Sequence, residues 1–218
     1  MVSPSTPCED GRVRTPVLDV LRPALHLAGR AYFGLRFRGA ENIPADGPLL
    51  VTPNHQTYAD PPLVTIPFRR PVYYMAWEAL FEIPLLSWAI RRLRAFPVTV
   101  GAADATAIRQ AVRLLAAGEA VMIFPEGGRS PDGRLQEFKL GAFRLATAHG
   151  IPVLPVTIAG GTNSWPPGRR LPRPGRITVT FHPVLPVARA RDPKAAARGL
   201  ADRARAAIAS ALPAAHLT

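Results

Sequence analysis

The segment Pro53-Asn54-His55-Gln56-Thr57-Tyr58-Ala59-Asp60-Pro61-Pro62 sets an imidazole and a carboxylate a short loop apart. It follows Leu49–Thr52, an apolar run that reads as a buried strand, so His55 emerges at a strand end. α/β domains place their ligand sites there. The two prolines after Asp60 suit the first turn of a helix with Asp60 as its N-cap. A turn between strand and helix can return the Asp60 carboxylate to the His55 ring. A carboxylate so placed fixes the tautomer and steadies the imidazolium formed when His55 accepts a proton. General-base help of this kind contributes roughly 10²–10⁴ in rate. The same spacing also suits a plain helix cap beside a hydrogen-bonded turn histidine. From these two residues alone, both readings stand.

A second stretch narrows the chemistry. The apolar run Val121-Met122-Ile123-Phe124 ends in Pro125-Glu126-Gly127-Gly128-Arg129-Ser130. A strand delivering a carboxylate, two glycines and a guanidinium suits a polar-ligand cradle. Arg129 can grip a phosphate with two donors, and the glycines let backbone N–H groups approach it. The competing reading is a simple loop with a local Glu126–Arg129 ion pair. Other site types are excluded: the chain has no GxGxxG or GxxxxGK, no HExxH or close His/Cys cluster, and no GxSxG. The single cysteine, Cys8, lies in a proline-spaced N-terminal stretch, so neither a disulfide framework nor a catalytic thiol is expected. That fits a reducing cytosol.

Taken together, these blocks resemble the glycerophospholipid acyltransferases, the family of 1-acylglycerol-3-phosphate acyltransferase. NHQTYAD matches that family's NH-x-x-x-x-D block and FPEGGRS its FPEG-x-R-S block. Glu41-Asn42-Ile43-Pro44 with Gly47-Pro48 precede the first block, and Glu78–Pro84 lie between the two. Asp132-Gly133, Phe138-Lys139, Gly141 and the strand Ile151–Val156 follow. The resemblance runs from about Phe37 to Gly161. It implies that His55 is the general base and that Asp60 orients it. The acceptor hydroxyl then attacks the thioester of acyl-CoA or acyl carrier protein directly, with no acyl-enzyme, metal or further cofactor. Asn54, Glu126, Gly127, Gly128 and Arg129 fall on its substrate-binding positions. The expected acceptor is 1-acylglycerol-3-phosphate, in phospholipid biosynthesis.

One position departs from the family pattern. Val100 stands where the family usually carries an arginine that contacts the acceptor phosphate. Losing one charge-assisted contact costs about 1.5–3 kcal/mol. Arg92 or Arg94 could replace it from the preceding helix end, or the acceptor is another lyso-lipid or a non-phosphorylated alcohol. A catalytically silent lipid-binding protein is the remaining alternative, but it has no need of a paired His55 and Asp60.

Elements that could position these residues are legible along the chain. The 218 residues are 48% hydrophobic and 19% charged, enough for one buried core and too apolar for overall disorder. Short apolar runs at 49–52, 72–75, 96–100, 120–124, 153–158 and 177–181 read as strands. Helical patterns separate them, one capped by Asp104 and stopping at Gly118, another running from about Gln136 to His149. Asp192-Pro193 opens a C-terminal helix, and Gly160–Gly175 reads as a surface flap. The expected fold is a single α/β domain with a largely parallel or mixed sheet flanked by helices. Its segments are a flexible tail (1–15), an N-terminal amphipathic helical segment (16–36), an acyltransferase domain (37–190), and a C-terminal helix packed on the same domain (191–218).

Charge and hydropathy bear on partners. A formal charge of +12, with Lys139 and Lys194 the only lysines, attracts polyanions. Basic residues are not interleaved with aromatics as a base-stacking platform requires, so nucleic acid is not the expected partner. The longest charge-free stretch, Leu145–Gly168, is broken by prolines and glycines and cannot be an uninterrupted spanning helix. Residues 1–15 lack the apolar run of a secretory signal. A peripheral enzyme on the cytoplasmic face of the cell membrane is expected, touching an anionic surface through Pro16–Leu35 and Leu80–Arg94. Pro23 should kink the first of these or start a second helix there, with Leu18, Leu21, Leu25, Ala28 and Tyr32 on its apolar face.

Overall fold

A computed structural model describes residues 16–99, 104–166 and 168–217. Its centre is a seven-stranded sheet in the order β1-β7-β6-β2-β5-β3-β4. The strands are β1 (Arg36–Arg38), β2 (Leu49–Pro53), β3 (Val72–Trp77), β4 (Ala95–Val98), β5 (Ala120–Met122), β6 (Val153–Ala159) and β7 (Thr178–Phe181). Five neighbours, β6, β2, β5, β3 and β4, run parallel. β7 pairs antiparallel with β6, and β1 runs parallel to β7, so this edge reverses the sheet direction. The fold is a single α/β domain.

Continuous apolar runs make strands buried on both faces, as a parallel sheet demands. Along β2, every residue from Leu49 to Pro53 is buried. Alternate residues serve opposite layers. Leu50, Val121 and Val153 face a core built with α4 (Ala105–Ala116), α5 (Gly141–His149) and α7 (Pro193–Ala209). Leu49, Val51, Met122 and Leu154 face the other core, which includes Leu63 and Val64 of α2 (Asp60–Thr65) and Ile90 of α3 (Pro84–Arg92). On the first face α7 buries Ala197, Leu200, Ala204 and Ile208, small and branched residues that let it lie close to α5. Asp192 caps α7 by accepting from the amides of Lys194 and Ala195, and Asp104 caps α4 in the same way.

Several expectations require correction. α1 (Pro16–Phe33) is one helix that runs through Pro23, with no second helix starting there. Its core-facing side is rotated from the expected one. Leu25 and Phe33 pack inward and Gly29 is buried against Leu35, whereas Ala28 and Tyr32 are exposed. The side chains of Leu18 and Leu21 lie outside the described residues.

The helix expected from Gln136 starts only at Gly141. Amides before it are committed elsewhere: Leu135 N–H to His216, Gln136 N–H to Glu126 and Lys139 N–H to Pro125. The flap expected at 160–175 opens with a helical turn, α6 (Gly161–Ser164), that buries Gly161 and Ser164. β1 was not anticipated. Only three residues long, it has no core-type run, and its pairing with β7 alone defines it.

Candidate active site

The site lies beyond the carboxyl ends of the adjacent strands β2 and β5. There β2 passes into a loop, Asn54–Ala59, before α2 begins. Asn54 anchors that loop to β6: its side-chain N–H donates to the Ile158 carbonyl at 3.0 Å, and its side-chain oxygen accepts from the Ile158 amide at 2.7 Å. Asp60 is fully buried and does not act as an ordinary cap; the residue before the helix is Ala59. Its carboxylate turns back into the loop instead. Oδ2 accepts from the amides of Gln56 at 2.6 Å and Thr57 at 2.8 Å, and Oδ1 accepts from the Thr57 hydroxyl at 2.6 Å.

The fourth partner of Asp60 is His55, with Nδ1 2.9 Å from Oδ2. Because Oδ2 already accepts two N–H groups, Nδ1 is the donor in this contact. The Nε2 lone pair is then free to accept a proton. Nε2 has no hydrogen-bond partner among the described residues. The ring stacks on Phe124, centroids 3.9 Å apart, and its side chain is 16% exposed. Orientation by Asp60 on one edge and Phe124 on one face leaves Nε2 as the ring nitrogen without a partner among the described residues.

The second block clasps the first. Glu126 is not paired with Arg129; its Oε1 accepts the His55 amide at 2.7 Å and its Oε2 the Gln136 amide at 3.1 Å. Burial pushes the Glu126 carboxyl up to about 7, against the downward pull of those two amides. The Ser130 amide returns a bond to the His55 carbonyl at 2.8 Å. Both backbone polar groups of His55 are therefore held by the Glu126–Ser130 loop. Gly127 sits at φ 73°, and the Lys139 side chain lies where a Cβ would project. Around Gly128 a Cβ would meet nothing within 4 Å, so the loop opens to solvent there.

Arg129 reaches across to the histidine loop. Its Nη2 donates to the Tyr58 hydroxyl at 2.7 Å, and the guanidinium carbon lies 3.6 Å from the Tyr58 ring centroid. Trp165, just after α6, meets the Tyr58 ring edge-on, centroids 5.9 Å apart. Buried Gln56 ties this wall to the loop: its Oε1 accepts from Gly161 at 2.8 Å and Thr162 at 3.3 Å. Among the described residues no cluster of His, Cys, Asp or Glu could hold a metal ion.

The proposed replacements for the missing arginine are not at this end of the sheet. Arg94 precedes β4, on the amino-terminal edge, and its guanidinium lies over Tyr73 at 5.6 Å. Arg92 ends α3 and stacks over Trp88 at 4.8 Å. Parallel β3 and β4 place both at the edge opposite His55. Val100 lies outside the described residues.

A family model described as Acyltransferase matches residues 34–159, more than half of the chain and both blocks. The chain belongs to the acyltransferase family. Relatives of this chain include a Chlamydomonas reinhardtii protein named 1-acyl-sn-glycerol-3-phosphate acyltransferase, 33% identical over 84% of this chain and 54% of the relative. A Pseudomonas aeruginosa protein of the same name is 31% identical over 80% of this chain and 68% of its own length. The chain spans about half the length of the algal relative. Among solved structures, the 1-acyl-sn-glycerophosphate (LPA) acyltransferase PlsC of Thermotoga maritima superposes with a TM-score of 0.73. It is 29% identical, and the match covers 89% of this chain and 79% of that chain.

Sequence reasoning missed Gln56, Thr57, Tyr58, Phe124 and Trp165 as parts of the site. Thr57 and Gln56 lie inside the first block, but their partners are a buried carboxylate and a distant turn. No spacing rule connects Tyr58 with an arginine 71 residues away.

Proposed function

We propose that this acyltransferase moves a fatty acyl group from acyl-CoA or acyl carrier protein to the free hydroxyl of a lyso-lipid, with 1-acylglycerol-3-phosphate the leading acceptor, in phospholipid biosynthesis. The observation that carries this reading is His55, held by Asp60 with Nε2 open beside the Gly127–Arg129 loop. Nε2 takes the hydroxyl proton as the acceptor oxygen attacks the thioester carbonyl. The tetrahedral intermediate collapses with loss of the thiolate, which receives the proton from His55. Asp60 steadies the imidazolium in between. Holding hydroxyl, imidazole and thioester together supplies much of the rate through orientation. Arg129 faces the acceptor headgroup. Acylation of a different lyso-lipid or a non-phosphorylated alcohol is the second reading, favoured by Val100.

The product is a two-chain lipid, so a membrane-bound working position at the cytoplasmic face accompanies this proposal. No helix among the described residues is long and apolar enough to cross a membrane. Peripheral contact is supported by α3, which exposes Leu85 (79%) and Trp88 (56%). Arg91 and Arg92 stack over Phe81 and Trp88 beside them. Such a mixed surface suits anionic headgroups.

The test is thiol release from palmitoyl-CoA and palmitoyl carrier protein, with lysophosphatidate and monoacylglycerol compared as acceptors. Release should depend on acceptor and fall by roughly 10²–10⁴ in His55→Ala; release that stays near the wild-type rate overturns the general-base role. Co-sedimentation with phosphatidylglycerol vesicles but not phosphatidylcholine vesicles is expected, weakened in Leu85→Ser/Trp88→Ser.

A further inference from the structure

Among the described residues, Arg129 carries its charge without an acidic partner. Both Glu126 oxygens are taken by backbone amides. Asp132, the next carboxylate along the loop, lies 3.6 Å from Arg134. Among the described residues, the polar contact of the Arg129 guanidinium is the Tyr58 hydroxyl, and its central carbon lies over the Tyr58 ring. Tyr58 is itself steadied by Trp165, whose indole N–H donates to the Arg169 carbonyl at 2.9 Å.

We propose that Tyr58 is the positioning residue that orients Arg129 toward an anionic acceptor headgroup, a phosphate above all, without neutralising it. A carboxylate could hold the guanidinium as firmly, but it would cancel the field that attracts the ligand. A ring face and a neutral hydroxyl fix the plane of the fork and leave most of its donors and all of its charge for a second partner. Tyr58 projects from the loop between His55 and Asp60, so the same short segment sets the base and the headgroup cation. Distance between hydroxyl chemistry and headgroup is thereby built into one loop. This rests on the acceptor reading above, in which Arg129 meets the headgroup.

The test is a double-mutant cycle in the full chain, read as KM and kcat with lysophosphatidate and with monoacylglycerol. Tyr58→Leu removes stacking and hydrogen bond and should raise KM for lysophosphatidate about 10-fold, with a much smaller fall in kcat. Tyr58→Phe keeps the ring and should recover most of this, leaving a rise of about 3-fold. KM for monoacylglycerol should change far less. In an Arg129→Ala background Tyr58→Leu should add nothing, because its effect passes through the guanidinium. An equal KM rise for both acceptors, or a rise that persists without Arg129, overturns the role of Tyr58 and leaves the acceptor reading standing. If Arg129→Ala alone leaves KM for lysophosphatidate unchanged, the acceptor reading of Arg129 falls and the Tyr58 proposal falls with it.

Discussion

The backbone N–H of His55 donates to Oε1 of Glu126 at 2.7 Å, joining two loops 71 residues apart in the chain. The carboxylate of the second block is thus spent on holding the main chain of the first. Its other oxygen holds Gln136 at 3.1 Å. Glu126 shapes the site by fixing where the imidazole starts.

That burial makes stability depend on pH. Glu126 is raised from 4.5 to about 7 in the folded protein, so the folded state holds the proton more tightly than the unfolded chain. The associated stability is fully present below pH ~4.5 and is lost as pH rises through about 7, amounting to ~3 kcal/mol. Urea unfolding of wild type and Glu126→Gln across pH 4 to about 8 should show this slope in the former and its loss in the latter. Identical slopes would remove Glu126 as the titrating group.

His55 and Asp60 should separate chemistry from stability. His55→Ala is expected to cut acyl transfer by roughly 10²–10⁴ with little change in the unfolding midpoint. Asp60→Ala should lose comparable activity and also cost about 2–5 kcal/mol, because the buried amides of Gln56 and Thr57 lose their acceptor. Thermal melts beside thiol-release assays would show whether the two variants part in this way.

Gln56 should govern the order of the α6 turn. Its Oε1 accepts from Gly161 and Thr162, and the residue is 1% exposed. Gln56→Ala is expected to cost about 1–3 kcal/mol and to speed amide exchange at both residues. Unchanged protection at Gly161 would contradict the brace.

At Gly39 the backbone is left-handed, φ 66°, and a Cβ would run into the carbonyl oxygen of Phe181. Neither strain nor clash can relax, because Asn42 also donates to that carbonyl at 3.0 Å. Gly39→Ala should therefore destabilise by at least about 2 kcal/mol, measurable by denaturant unfolding, whereas Gly118→Ala meets only the φ penalty.

The sequence alone determined the strand-and-helix alternation, the helix caps at Asp104 and Asp192 and the two chemical blocks. These are local: they follow from apolar period, turn chemistry and short spacing, which act between near neighbours. Only the tertiary structure decided which way α1 faces, where α5 begins and that the β7–β1 edge reverses. Tertiary contacts also decided that Glu126 braces His55 while Arg129 leans on Tyr58. Each of those outcomes is a competition between partners far apart in the chain. Gln136 gives its amide to Glu126 instead of a helix, and Arg129 takes an aromatic face instead of the nearest carboxylate. Local propensity is worth a fraction of a kcal/mol per residue, whereas a buried polar group without its partner costs about 1–3 kcal/mol, so the distant partner prevails.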